Sequence, residues 1–503
     1  MITKANLSRP NSNIAVICLC GLAVVSYSLL ARAFPVVYWY DTHIRLALHD
    51  QIFLGHWLPI IQILIVLISK LTNSLLRLRM VLAVIAGGTL FCAYVFTRHF
   101  FSSQVAFIAV VFLATNLMFV ALAIVPYPEV LFIGLLFIAF TLLDGSSLED
   151  YFYLGILALN LACLTRYEGW LLAVIFVGEA MWKSLKTKTW RHFLRVTLLS
   201  AFAPLGWLIF GISGSGNLLE RLKAIIAFEI MTDTKNLSSH FLGHLNVDYL
   251  KAFAENYYHL IRWQAGLGII LLGLFGWSKA LLLAEHRIIH WRILVFVVLD
   301  WLLLCLWQPW DFTNLRTAFV GEVFLILYAA YGLEQLIHSI LYGLINVLPK
   351  ANVLGWQNWV IASLVIIFVG SSVPHAIDFV EQTSQENDFS RPAQIGAWLK
   401  PHLKMDDKII VLTDDIFQPY ALATYTGLPY ENVIDDRFDN LQIHSRLVSK
   451  QFVYVVELYR AEASLSAREI KLLNQLEHGT IHAQLFRVGI NRVWLISTNE
   501  LDI

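Results

Sequence analysis

Charge is scarce in this chain, and none of it is surplus. Only 14% of the 503 residues are charged, and 36 basic side chains balance 36 acidic ones to a formal net charge of +0. Soluble globular proteins carry roughly 25%. A balanced chain has no electrostatic footprint for nucleic acid, so there is no case for that partner. Cysteine is scarcer still. Cys18, Cys20, Cys92, Cys163 and Cys305 all fall in apolar runs, with no CxxC pair among them. They imply no disulfide framework and read as small buried apolar residues. Internal repeats and low-complexity stretches are missing as well.

What is plentiful is hydrocarbon. Hydrophobic residues make up 58% of the chain, and the mean hydropathy is +0.65. A helix needs about 20 apolar residues to cross a bilayer. Runs near 14–31, 80–97, 104–124, 129–143, 152–164, 168–182, 196–212, 264–283, 291–307, 317–338 and 357–373 predict about eleven crossings. The segment 58–72 is apolar but short and reads as interfacial or re-entrant. Lys4, Arg9 and "ARA" at 31–33 have the look of a signal peptide. The long first apolar stretch and the spans behind it favour a true crossing.

Loop charge sets the direction of insertion. The stretch 183–195 holds Lys183, Lys186, Lys188, Arg191 and Arg195 without an acid, and Lys279, Arg287 and Arg292 mark a second basic turn. Both predict a cytoplasmic side shared with the N-terminus. The loops 34–58, 125–128, 165–167, 213–262 and 308–316, and the tail, then face outward. The tail differs in character, since 18 of the 36 acidic residues lie after Ser372. "KIIVLTDD", "FVYVVEL" and "RVWLIS" read as strands and "SAREIKLLNQLEHG" as a helix. The tail contains no GxGxxG, P-loop or GxSxG. The expected fold is mostly α: a polytopic membrane domain over 1–373, then a small α/β domain outside the membrane over 374–503.

Ionisable groups in or near a bilayer are costly and tend to mark function. Here they gather on the outer side. Asp41 opens the first loop, Glu129 follows "PYP", Arg166 and Glu168 stand in "LTRYEGW", and Arg316 lies in "WQPWDFTNLRTAF". Each also has a plain structural reading. Asp41 fits an N-cap, Thr165 with Glu168 fits a capping box, and Glu129 suits a helix N-terminus. Capping does not require the caps to collect on one face of a membrane. His43, His49 and His56 are spaced six and seven apart and match no compact metal-ligand pair such as HExxH. Asp300 and Glu322 fall within apolar spans and suit a buried pair or a transport relay.

Taken in order, these features resemble the GT-C membrane glycosyltransferases, in the branch of protein O-mannosyltransferases and aminoarabinose transferases. The resemblance is carried by an acid in the first outer loop, then "GHWLPIIQILIVLISKL", "LLRLRMVLAVIAGG", "FTRHFF", "PYPEVLFIGLLF", "LACLTRYEGWLL" and "FTNLRTAFVGEVFLILYAAYGLEQL". It covers roughly residues 14–340, and the tail is similar in style only. The chain departs from that pattern at three places. Asp41-Thr42 replaces a paired Asp-Glu, Leu58-Pro59-Ile60 replaces "PPL", and Glu322 stands where a proline is usual.

The resemblance implies transfer of a sugar from a polyprenyl- or dolichyl-phosphate donor to a glycan, lipid or protein acceptor, with inversion. It implies a multi-pass protein of a bacterial plasma (inner) membrane with an outer-facing active site. Such a reaction needs a base for the acceptor hydroxyl, cations for the leaving phosphate and a groove open to lipid. The expected base is Asp41, with Glu129 as a second acid that positions acceptor or sugar hydroxyls. Arg166 and Arg316 are expected at the phosphate, with Glu168 orienting Arg166. Tyr38, Trp39 and Tyr40 read first as interfacial anchors; Tyr40 and His43 also count among the expected substrate contacts. No cofactor is implied with certainty, and a divalent metal is left open.

Two other classes compete. A transporter or lipid flippase would need midplane polar sites and an internal repeat; Asp300 suits the first, and the second is missing. A non-catalytic assembly protein would leave Asp41, Glu129 and Arg316 scattered rather than gathered at a cavity.

Overall fold

The protein is described here from a computed structural model covering residues 10–37, 40–52, 58–72, 74–144, 149–188, 190–215, 247–283, 286–307, 319–347, 353–385, 389–413, 418–434, 452–458, 470, 473–474, 476–478, 483–488 and 491–497. It falls into two compact units, each built from discontinuous segments. One gathers Met1–Ala31, Phe53–Ile61 and Arg79–Phe379, and the other Arg32–Ile52, Gln62–Leu78 and Val380–Ile503.

The first unit is helical. Its described helices are α1 (Pro10–Ala33), α4 (Leu75–Phe100), α5 (Ser103–Ala114), α6 (Leu117–Leu122), α7 (Glu129–Leu142), α8 (Glu149–Cys163), α9 (Glu168–Thr187), α10 (Trp190–Ser215), α11 (Val247–Leu281), α12 (Arg287–Trp307), α13 (Phe319–Val347) and α14 (Val353–Gln385). Two shorter ones, α2 (Tyr40–Ala47) and α3 (Ile60–Leu71), fall mainly in the second unit.

Six helices are long and apolar enough to cross a membrane, and they coincide with the expected spans at 14–31, 80–97, 196–212, 264–283, 317–338 and 357–373. The chain is a multi-pass membrane protein, but the other five expected crossings do not appear as such helices among the described residues. The 104–124 run breaks at Asn116, whose side chain accepts the Phe119 N–H at 3.0 Å and caps α6. An Asn offers the backbone this alternative to continuing a helix. The helices α7 and α8 are 14 and 15 residues long, short of a crossing. α3 has 12 residues, in keeping with a segment that does not cross.

Glycine sets the tightest packing in this unit. A Cβ on Gly276 would fall 2.0 Å from the Tyr328 carbonyl oxygen, and one on Gly332 would fall 2.1 Å from that of Leu272. Backbones this close are how membrane helices gain dispersion energy where water offers no hydrophobic drive. Beside them Trp277 stacks on Tyr328 with ring centroids 4.7 Å apart.

The second unit carries a five-stranded sheet of β1 (Lys408–Leu412), β2 (Val433–Ile434), β3 (Phe452–Glu457), β4 (Ala483–Val488) and β5 (Asn491–Ser497), in the order β2-β1-β3-β5-β4. β1 runs parallel to β2 and β3, and β5 is antiparallel to β3 and β4. The expected strands at 408–415, 452–458 and 492–497 are present as β1, β3 and β5. Two others were not foreseen: β2 has only two residues, and β4 is largely exposed, so neither shows an apolar run. Most of the expected helix at 466–479 lies outside the described residues. The sheet packs with α15 (Ser390–Leu399) and α16 (Gln418–Thr426) around Ile395, Leu399, Ile409, Val411, Leu422 and Val456, and Ala47 of α2 joins that core. Residues Arg32–Ile52 and the tail thus belong to one folding unit.

Candidate active site

Three of the expected site residues meet. Glu129 is the first residue of α7, placed there by two prolines in "PYPE". Pro128 stands at the N-cap without a side-chain cap bond, so the turn rests on backbone stiffness. Arg166 and Glu168 sit where α8 turns into α9. The Arg166 N–H reaches back to the Ala162 carbonyl at 3.0 Å, and the Trp170 indole donates to Cys163 O at 2.9 Å. That fold-back needs Gly169, because a Cβ there would lie 2.7 Å from Ala162 C and Cys163 N. The "RYEGW" stretch is therefore a tight turn that leaves one guanidinium pointing into the unit.

The guanidinium is shared by two acids. Arg166 Nε donates to Glu168 Oε1 at 2.9 Å, Nη2 pairs with the same oxygen, and Nη1 pairs with Glu129 Oε1. The Glu129 side chain is fully buried, and those of Arg166 and Glu168 are 14% and 15% exposed. Asp300 of α12 adds to the field at Arg166. Burial alone would loosen the Arg166 proton, but Glu168, Glu129 and Asp300 more than reverse that, and its pKa is raised. Glu129 Oε2 is buried with no hydrogen-bond partner. The capping box expected from Thr165 and Glu168 does not form. Thr165 Oγ1 donates to Leu161 O, and Tyr167 is the N-cap of α9. Glu168 is drawn to Arg166 because a buried cation outbids a backbone amide for a carboxylate.

Of the remaining expected site residues, only His43 has a described side chain. α2 begins at Tyr40, so Asp41 stands inside its first turn rather than before it, and the helix ends at Ala47. The side chains of Tyr40 and Asp41, and all of Arg316, lie outside the described residues. His43 is a fully buried member of the second unit. Its Nε2 lies 3.0 Å from Val37 O, and its ring packs on Phe389 and Tyr425 at 4.1 and 5.6 Å. Burial lowers its pKa to about 3, against a smaller opposing effect of the Val37 carbonyl, which leaves a neutral core imidazole. Asp300 and Glu322 have different surroundings: Glu322 Oε1 accepts from Asn116 Nδ2 at 2.8 Å, whereas Asp300 interacts electrostatically with Arg166 and Glu168. Both were visible as acids inside apolar runs, but nothing in the sequence linked either to its partner.

The first unit also has a cavity of about 670 Å³. Phe112, Leu272, Leu364 and Phe368 line it, with Asn116 and Gln264 as polar points. It lies where α5 gives way to α6 and where α11 breaks at Gly266, whose φ of +79° is strained for any other residue. Among the described residues, no group of three or more His, Cys, Asp or Glu is arranged to hold a metal. Between Glu129 and Glu168 the place of a cation is taken by the Arg166 guanidinium.

Solved structures resemble this chain over most of its length. ArnT from Cupriavidus metallidurans, bound to undecaprenyl phosphate, superposes with a TM-score of 0.64 over 98% of this chain and 99% of its own, at 11% identity. The chain shares the fold of that protein. The apo form of ArnT gives 0.54 over 91% and 92%, at 12% identity. The oligosaccharyltransferase of Archaeoglobus fulgidus in its apo form gives 0.53 over 88% of this chain and 69% of its own, at 13% identity. No family model matches the chain, and no curated protein matches its sequence. The ArnT superposition takes in the tail as well, where the sequence offered only a likeness of style. Fold is kept at identities that erase motifs, because apolar pattern and close helix contact tolerate substitution.

Proposed function

We propose that this chain is a GT-C glycosyltransferase that moves a hexosyl or pentosyl unit from a polyprenyl-phosphate donor to an acceptor on the outer face of the membrane, with inversion. The observation that carries the reading is the superposition over 98% of the chain on ArnT bound to undecaprenyl phosphate. In this reading Asp41 takes the proton of the acceptor hydroxyl. The freed oxygen attacks the anomeric carbon, the bond to the phosphate oxygen breaks, and polyprenyl phosphate leaves. A placed carboxylate contributes about 10²–10⁴-fold to such a step.

Arg166 has its charge answered by two carboxylates, so its role is to hold Glu129 rather than to meet the phosphate. Glu129 then offers its unpartnered Oε2 to a sugar or acceptor hydroxyl. Arg316 is left as the cation for the leaving phosphate. The cavity between α5, α11, α13 and α14 has the mostly apolar lining that a lipid chain requires, with Asn116, Gln264 and His375 among its polar points. The acceptor class is a glycan, lipid or protein, and the membrane is the bacterial inner membrane, with the tail outside.

The test is sugar transfer by purified protein from a panel of radiolabelled polyprenyl-phosphate sugars. It is paired with mass spectrometry of envelope glycans and glycolipids from cells with and without the gene. One donor consumed in vitro and one envelope sugar missing in vivo are expected. No transfer from any donor and an unchanged envelope would overturn the reading in favour of a transporter.

A further inference from the structure

Arg79 belongs to no part of the chemistry above, yet it is among the largest fully buried side chains, at 1% exposure. An arginine at membrane depth asks for a reason. Its Nε–H donates to Ile124 O at 2.8 Å and its Nη1–H to Ala31 O at 2.9 Å. Ala31 lies in the last turn of α1, where carbonyls lack intrahelical partners and a cation is favoured. Ile124 lies just past α6, at the head of the turn Ile124–Pro128 that delivers Glu129. That turn is buried throughout and makes a Tyr127 N–H to Val125 O contact of 2.7 Å. Ten residues further along α4, Thr89 Oγ1 donates to Val130 O at 2.9 Å. The helix α4 therefore grips the chain on both sides of Glu129.

Resting on the catalytic reading of Glu129, we propose that Arg79 is a positioning residue: through the Ile124 carbonyl it fixes the turn that sets where the Glu129 carboxylate stands. A planar fork reaches two carbonyls at once, one at the end of α1 and one at the head of the turn. Lysine keeps the charge but is a single point on a flexible stem. A displacement of about 1 Å in a catalytic group lowers turnover by about 10²-fold.

The experiment compares wild type, Arg79→Lys, Glu129→Gln and the double variant, each purified in detergent and normalised to folded protein. Hydrogen–deuterium exchange reads the hold on the turn. Arg79→Lys should raise exchange in peptides spanning 124–130 and leave those of α9 and α12 as in wild type. Transfer kinetics read the positioning. Arg79→Lys should lower kcat by 10- to 100-fold with KM for the donor within about threefold, and should have no further effect once Glu129 is Gln. Unchanged exchange at 124–130 overturns the proposal, and so does an Arg79→Lys penalty of equal size with and without Glu129. If wild type transfers no sugar, the catalytic reading falls, and the exchange result alone decides whether Arg79 holds the turn.

Discussion

Removing the positive charge from the Glu129–Arg166–Glu168 group should harm the protein more than removing a negative one. In the native state one guanidinium serves two carboxylates, with Glu129 fully buried and the others about one-seventh exposed. Arg166→Gln leaves both acids around a neutral amide. Breaking a buried pair by deleting one partner costs about 3–5 kcal/mol. The two carboxylates then repel; at about 4 Å and an effective dielectric of 20 that is about 4 kcal/mol, partly relieved by proton uptake. A net loss of about 4 kcal/mol is expected, on the order of 10 °C in melting temperature. Glu129→Gln keeps the shape and leaves Arg166 its bonds to Glu168, so about 1–2 kcal/mol is expected. In the double variant the repulsion is gone, and the penalty should fall short of the sum by about 1.5–3 kcal/mol. The assay is thermal unfolding of the four proteins in one detergent at neutral pH. Wild-type melting of Arg166→Gln, or penalties that simply add, would refute a coupled buried group.

Other outcomes follow from single features. Asp41→Asn should lower turnover by about two to four orders of magnitude with folding kept, and Asp50→Asn should do far less; equal turnover of Asp41→Asn and wild type would remove the base. His43 has a folded pKa near 3 against about 6.5 unfolded, so the unfolded state binds the extra proton between those values. Stability of the second unit should therefore fall as pH drops from about 6.5 towards 3, by up to about 1.4 kcal/mol per unit, and His43→Gln should flatten that slope in pH-dependent melting. Gly332→Ala forces a Cβ against the Leu272 carbonyl 2.1 Å away, and should destabilise α11 against α13 by about 1–3 kcal/mol. Detergent melting at wild-type temperature would show that the two helices part without penalty.

Much of this architecture was legible because it rests on apolar run length. The six long helices are runs that keep their pattern for a full crossing, and the three strands foreseen are short β-branched blocks. The failures have local causes. Asn116 diverts a continuous run into two helices, and nothing in composition distinguishes a cap from a passenger there. The meeting of Glu129, Arg166 and Glu168 was foreshadowed by three polar residues at one expected depth. Glu168 beside Arg166 was expected from their places in one motif; the share that Glu129 takes in the same guanidinium, 37 positions earlier, was not. His43 reads as polar in sequence and is core in space, because the aromatic rings that cover it, Phe389 and Tyr425, come from more than 340 positions later.

That distance bears on how the protein is made. The Val37 N–H donates to Tyr425 Oη at 2.8 Å across a separation of 388 residues. At about 5–20 residues per second, the ribosome needs roughly 20–80 s between them. Through that interval α2 has emerged while Ala47 and His43 lack the partners that bury them. The first loop must wait, uncovered, until the membrane helices between have been inserted and the tail has followed. A premature stop anywhere before α16 does not trim off an accessory module; it leaves the helix that carries Asp41 without the other half of its own core.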